Sequence, residues 1–265
     1  MADNEILTDY DFDREDHEFV NAIAELPMRS AAWEAFSRPA EVGVDWHRTE
    51  NQGPMGSCQG HSISSVLERL AMVKGEKVQL SEIFAYLASQ KLDGLLGRDR
   101  GSTISSGCKV AMRWGCPLAE LTGYPRGYPS SSARAKILSQ ANYAAGEPYK
   151  CLSLWKVPRN HEETLEFLGG GGGINFGIAY GSGTIPNDRV MRTFRPGRGG
   201  HAMAVLGYKE DGTLRAVNSH GDGEYLITEK AWDQILRHGR TTAIGVMGNA
   251  EAEPVDWYKN SPYFK

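Results

Sequence analysis

"NQGPMGSCQGHS", residues 51–62, sets one cysteine at the end of a loop rich in glycine, just where the chain turns apolar. From Cys58 onward, Ile63, Val66, Leu67, Leu70 and Met72 recur mostly on one helical face, and Gly75 ends the run. The pattern predicts a helix that begins near Ser57 or Cys58. A structural cysteine needs no such staging, whereas a nucleophile does: it must sit exposed, with its thiolate favoured by the helix N-terminus. The backbone N–H of Cys58 and the side-chain amide of Gln52 are candidate donors to an oxyanion. Gly53 and Gly56 let the loop double back so that both donors converge.

A thiol nucleophile also needs a base, and the base needs a partner that orients it. "GRGGHAMAVLGY" (197–208) places His201 at the head of an apolar strand. "LRAVNSHGDGEYLI" (214–227) places Asn218 at the end of the next, followed by Ser219, His220 and Gly221. Between them "KEDGT" (209–213) carries an Asp-Gly pair, which reads as a hairpin turn. Adjacent antiparallel strands joined in this way bring His201 and Asn218 within hydrogen-bond reach.

Outward from these segments the two halves of the chain differ. "SAAWEAFSRP" (30–39), "LSEIFAYLASQKL" (80–92) and "TISSGCKVAMRWG" (103–115) read as helices, the second with Ser81 as N-cap. The second half carries short β-rich segments at 174–181, 201–211, 214–219 and 223–228, broken by Gly, Asp and Asn turns. "LGGGGGI" (168–174) reads as a flexible joint or surface loop. A helical half followed by a β-rich half predicts an α+β protein of two lobes, with a cleft between them. The expected organisation is an acidic arm and short helix over 1–42, a main domain over 43–250 divided near 150, and a tail over 251–265.

Composition narrows the function. With 265 residues, a net charge of −4 and 23% charged residues, the chain has no basic footprint for nucleic acid or an anionic membrane. No apolar run reaches the roughly 18–20 residues of a membrane span, and residues 1–20 lack the basic and apolar regions of a signal peptide. Cys58, Cys108, Cys116 and Cys151 match neither a disulfide scaffold nor a metal-binding spacing, so a reducing, cytoplasmic setting is expected, with no metal and no cofactor. The first eighteen residues hold eight acids against Arg14 alone, a solvated arm or one that docks on a partner.

Taken together, these motifs resemble the papain-like cysteine peptidases. His201 lies 143 positions after Cys58, and Asn218 another 17 on. "VDWHRTENQGPMGSC" resembles that family's entry segment, "LSEIFAYLAS" its Leu-Ser-Glu helix, and "GSTISSGCKVAMRWGCPLAELTGYP" the segment lining the non-primed side of its cleft. The resemblance spans about 44–235 in the family's order. It implies a helical N-terminal lobe, a β-barrel-like C-terminal lobe, and peptide-bond hydrolysis through a thioester acyl-enzyme. In that scheme Cys58 attacks, His201 moves the proton, Asn218 orients it, Gln52 serves the oxyanion, and Gly101, Ser102 and Thr103 bind an extended polypeptide substrate.

Three positions depart from the family pattern. Met55 stands where a disulfide cysteine is usual, Gln59 where an aromatic follows the nucleophile, and His220 where a Trp shields the His–Asn bond. Loss of both aromatics predicts a wetter, less well oriented imidazole. His220 is expected to pack rather than react. The same fold serving as a binding module in a larger assembly, and a cell-wall peptide amidase with the same triad, are the alternative readings.

Overall fold

The computed structural model describes residues 12–27 and 30–249. Its first half is helical: α1 (His17–Ala22), α2 (Ala31–Glu34), α3 (Cys58–Val73), α4 (Glu82–Leu92), α5 (Ile104–Arg113), α6 (Ser131–Ile137) and α7 (Gln140–Gly146). The second half runs β1 (Ser153–Lys156), α8 (His161–Gly169), β2 (Gly173–Tyr180), β3 (Val190–Met191), β4 (Gly199–Tyr208), β5 (Leu214–Val217), β6 (Glu224–Ile227), α9 (Glu229–Arg237) and β7 (Thr242–Met247). Helix starts follow the capping residues. Ser81 Oγ accepts from Phe84 N at 3.0 Å, and Thr103 Oγ1 from Ser106 N at 3.2 Å, each satisfying a first-turn donor.

Among the described residues the strands form one sheet in the order β1-β7-β2-β4-β5-β6-β3. Neighbours are antiparallel except for the parallel β3–β6 pair. The sheet is open, with β1 and β3 at its edges, rather than closed as the expected barrel-like lobe implied. The predicted hairpin is present: Lys209 N donates to Thr213 O at 2.8 Å, and Gly212 takes the turn with φ +80°.

Period-two alternation in β4 divides the core. Ala202, Ala204 and Leu206 join the cluster built on α3, α4 and α5, while Met203 and Val205 join a second cluster with Phe167 of α8, Phe176 of β2 and Trp232 of α9. Phe176 meets Trp232 edge-on at 5.4 Å. The sheet is therefore packed by helices on both faces, and the helices of the first half pack directly on the strands of the second. The segment before α3 joins the same body, for Val42 and Tyr208 exchange backbone hydrogen bonds at 2.9 and 3.1 Å.

Two local expectations are corrected. The glycine run is a buried connection, not a flexible joint. Arg69 of α3 donates to the carbonyls of Leu168 and Gly172, and a Cβ on Gly172 would overlap the Phe167 ring at 2.5 Å. Only glycine leaves room for that approach. Helix α3 is buried nearly all round rather than on one face, because the sheet, α4 and α5 surround it.

Of the acidic arm, residues 1–11 lie outside the described residues, as does the tail expected over 251–265. The described part is not simply solvated. Glu15 is 6% exposed, and its carboxyl accepts from the N–H groups of Ile104 at 2.6 Å and Ser105 at 3.1 Å, the first turn of α5. Burial raises its pKa to about 7, against the lowering effect of those hydrogen bonds and with Asp93 adding to the rise. Asp16 pairs with Lys109 on the same helix at 2.5 Å.

Candidate active site

The crossing of α3 over the sheet decides where Cys58 and His201 fall. Ser62 Oγ donates to Met203 O at 2.5 Å and to Asn175 Oδ1 at 2.6 Å. One turn later Val66 abuts Gly173, whose strand position lies opposite the later part of β4. Thus α3 runs in the same direction as β4. Cys58 lies one turn, about 6 Å, before Ser62, and His201 lies two residues, about 7 Å, before Met203. The helix start and the strand start share one end of the molecule.

Beyond β5 the chain carries Asn218 back beside β4. His201 Nε2 is 2.7 Å from Asn218 Oδ1. The rest of the Asn218 amide fixes which way it points: Oδ1 also accepts from Ser219 N at 2.9 Å, and Nδ2 donates to Asp222 Oδ1 at 3.1 Å. An acceptor oxygen facing Nε2 requires Nε2 to carry the proton. Nδ1 then holds the lone pair, and it has no hydrogen-bond partner. Burial, with the neighbouring His220 ring second, lowers the pKa of His201 to about 3, so the imidazole is neutral.

The missing Trp is replaced in kind rather than lost. His220 is half-buried and stacks on His201, centroids 4.3 Å apart and 22° between planes. Tyr180 closes another side, 4.7 Å from the His201 ring and with its hydroxyl 3.5 Å from His220 Nδ1. His201 is 0% and Asn218 4% exposed, so the expected wetter bond is not found. His220 packs, as expected.

The loop before Cys58 is held from several sides. Gln52 N donates to Ser219 O at 2.7 Å, its Oε1 accepts from Ser219 Oγ at 2.6 Å, and its Nε2 donates to Met55 O at 2.7 Å. The amide is thereby oriented between the loop and the Asn218–His220 segment. Asp99 accepts from Gly56 N at 3.0 Å and from Tyr86 Oη at 2.6 Å.

The sequence reading missed a second set of residues here. Tyr124 Oη donates to Gln52 O at 3.2 Å and bonds Ser57 Oγ at 2.7 Å and His61 Nε2 at 3.1 Å. His61 Nδ1 in turn bonds Glu50 Oε2 at 2.9 Å. Burial opposes ionisation of Glu50, but His61, His47 and Arg48 outweigh it and hold its pKa below the ordinary value. Burial, with Glu50 adding to it, raises that of Glu68 well above the ordinary value. The signal available in the sequence was the His at Cys58 plus three, on a helix face with Ser65 and Glu68.

Gln59, in place of the usual aromatic, is fully buried against Gly107 and accepts from Ser102 Oγ at 3.1 Å. The segment Gly101, Ser102, Thr103 therefore lies beside the residue that follows Cys58. All three are buried: Gly101 O accepts from Gln90 Nε2 at 3.1 Å, and Thr103 N donates to Asp93 at 3.0 Å. Cys58 itself is 0% exposed, which corrects the expectation of an exposed thiol. The crevice lined by His61, Ser62, Ala202, Met203, Asn218 and Ser219 is too narrow for water. A groove of about 740 Å³ lies elsewhere, between Ile23, Trp155, Pro158 and Leu236, away from every candidate catalytic residue. Cys108, Cys116 and Cys151 are core thiols whose pKa values burial raises, Cys108 to about 12. None of the four cysteines, all within the described residues, is in a disulfide.

Chemically, the arrangement offers a thiol at a helix start, a neutral imidazole with one nitrogen available to accept a proton, and an amide that sets its tautomer. No family model matches the chain, and no curated protein matches it. Solved structures do. Xylellain, a cysteine protease from Xylella fastidiosa, aligns with a TM-score of 0.69 at 19% identity over 87% of this chain and 92% of its own. Procathepsin B S9 from Trypanosoma congolense aligns with a TM-score of 0.64 at 14% identity, over 92% and 86%. The Carica candamarcensis cysteine protease CMS1MS2 aligns with a TM-score of 0.55 at 18% identity, over 80% and 99%. The chain has the papain-like fold.

Proposed function

We propose that this chain is a cysteine peptidase that hydrolyses peptide bonds of a polypeptide substrate through a thioester acyl-enzyme. The observation that carries the reading is the His201–Asn218 bond of 2.7 Å with Nδ1 left without a hydrogen-bond partner, at the end of β4 that adjoins the start of α3. Cys58 Sγ attacks the carbonyl carbon as His201 Nδ1 takes the thiol proton. The Cys58 N–H and the Gln52 amide donate to the oxyanion of the tetrahedral intermediate. His201 returns the proton to the leaving amine, and the C–N bond breaks to leave the thioester. Water, deprotonated by the same nitrogen, then releases the acid and regenerates the thiol. Gly101, Ser102 and Thr103 form the substrate-binding wall, through their position beside Gln59. The absence of any disulfide among the four cysteines favours action in a reducing compartment such as the cytoplasm.

The burial of Cys58 and His201 favours a second reading, a binding module with the same fold. Labelling with an epoxide probe for reactive thiols, located by peptide mass spectrometry, separates them. A peptidase labels at Cys58 and cleaves a denatured protein substrate. Absence of both, or labelling at Cys108 or Cys116 instead, rejects the assignment.

A further inference from the structure

We propose that His47, Glu50 and Glu68 bind one divalent transition-metal cation, Zn²⁺ or Mn²⁺, beneath the nucleophile helix. His47 Nε2 lies 4.0 Å from Glu50 Oε1 and 3.8 Å from Glu68 Oε2, and the donor atoms of the three residues all lie within 4.8 Å of one another. Those separations are too long for hydrogen bonds. Three ligands that each sit about 2.0–2.2 Å from one cation stand about 3.3–3.8 Å apart at tetrahedral to trigonal angles, so these side chains close in by a few tenths of an ångström or more around a guest. The side chains of the three are 3–4% exposed.

The orientation of each carboxylate supports a shared guest. Glu50 Oε2 is taken by His61 Nδ1 at 2.9 Å, while Oε1, which faces His47, has no hydrogen-bond partner. Glu68 Oε1 accepts from Leu80 N at 2.8 Å, and its Oε2 turns to His47. Ser65 Oγ, 2.9 Å from His47 Nε2, also donates to His61 O at 2.8 Å, so it keeps a partner when the imidazole turns to a cation. An imidazole with carboxylate oxygens suits Zn²⁺ or Mn²⁺ better than a soft, thiolate-seeking ion.

The surroundings of the carboxylates point the same way. Arg48 hydrogen-bonds Glu82 and sits 3.7 Å from Glu50 Oε1, so one guanidinium serves both carboxylates. Glu68 adds a third carboxylate to this buried group. A divalent cation displaces the protons of the carboxylates it binds, and buried charge left unbalanced is costly. The ligands come from the entry segment and from α3, so the cation would tie the loop holding Gln52 to the helix that starts at Cys58. Met55 supplies no disulfide for that purpose.

The test uses the full-length chain carrying Cys58→Ala, so that the thiol supplies no ligand. After chelator treatment and desalting, Zn²⁺ and Mn²⁺ are each titrated by calorimetry and native mass spectrometry, with Mg²⁺ and Ca²⁺ alongside. We expect one Zn²⁺ or Mn²⁺ per chain with micromolar or tighter affinity, and an unfolding temperature that rises with added metal. Glu68→Gln, of the same shape, and His47→Gln should each weaken binding at least 100-fold, with circular dichroism confirming that both fold. If either fails to fold, a shift of the His47 imidazole resonances on adding Zn²⁺ to the parent chain decides. Failure of the parent chain to take up either metal, unchanged uptake in the folded variants, or unmoved His47 resonances overturns the proposal.

Discussion

Helix α3 presents two adjacent faces to two different kinds of surrounding, and a buried histidine marks each. Along one face, Cys58 and Ser62 run beside the strand that carries His201, enclosed by Tyr180, His220 and the Asn218 amide. A quarter-turn away, His61, Ser65 and Glu68 face Glu50, His47 and Arg48. The first face uses neutral, ring-rich contacts, which leave the imidazole uncharged with a lone pair to offer. The second packs carboxylates against cations and holds the loop through Tyr124. The difference teaches that burial alone assigns no role to a histidine: what the other ring nitrogen touches does.

The sharpest way to break this comparison is to remove the reacting atoms. Cys58→Ala and His201→Ala should each abolish peptide cleavage in a continuous assay, by 10³-fold or more, while thermal unfolding still shows one cooperative transition. Retained turnover in His201→Ala would transfer the base to another residue, His61 first.

Gln52→Ala should cost about 10²–10³-fold in kcat as an oxyanion donor. Asn218→Ala should leave a larger remnant, because it orients the imidazole and does not react. Equal, negligible losses at both would favour the binding module.

On the charged face the expected damage is to stability. His61→Ala leaves Glu50 buried beside a missing partner and should cost about 3–5 kcal/mol in denaturant unfolding. A loss under 1 kcal/mol, with activity unchanged, would show that the Glu50–His61–Tyr124 chain does not hold the Gln52 loop.

The remaining effects are in pH dependence, and their signs are opposite. Burial lowers His201 from 6.5 to about 3, so its contribution to stability is present above pH 6.5 and is lost as pH falls toward 3. Burial raises Glu15 from 4.5 to about 7, so its contribution is present below pH 4.5 and is lost as pH rises toward 7. Hydrogen exchange at the Ile104 and Ser105 amides should therefore speed up between pH 5 and 8 beyond the intrinsic trend, and Glu15→Gln should flatten it. An excess that persists in Glu15→Gln would assign it to Asp93 or another group.

Much of the candidate site was legible from residue types and order. A cysteine at a loop–helix junction, a histidine heading one strand and an asparagine ending the next are local signals. The Asp-Gly turn between those strands is local too, and hydrogen-bond chemistry makes their pairing foreseeable. The cap at Ser81 was equally readable, because a side-chain oxygen acts on N–H groups only a few residues away. The glycine run was misread for the opposite reason: its five residues are made rigid by Arg69, about a hundred positions earlier, and by the Phe167 ring.

By itself, then, the sequence determined the helix and strand segments near the site, the hairpin, and which side chains are chemically able to act. These depend on spacing within a few residues. Only the tertiary structure decided that the sheet stays open, that His220 and Tyr180 enclose His201, and that Glu15 caps α5. It alone brought residues 47, 50, 61, 68 and 82 into one buried group. Those outcomes depend on which distant surfaces pack together and on how strongly burial penalises charge, and neither is written in any local spacing.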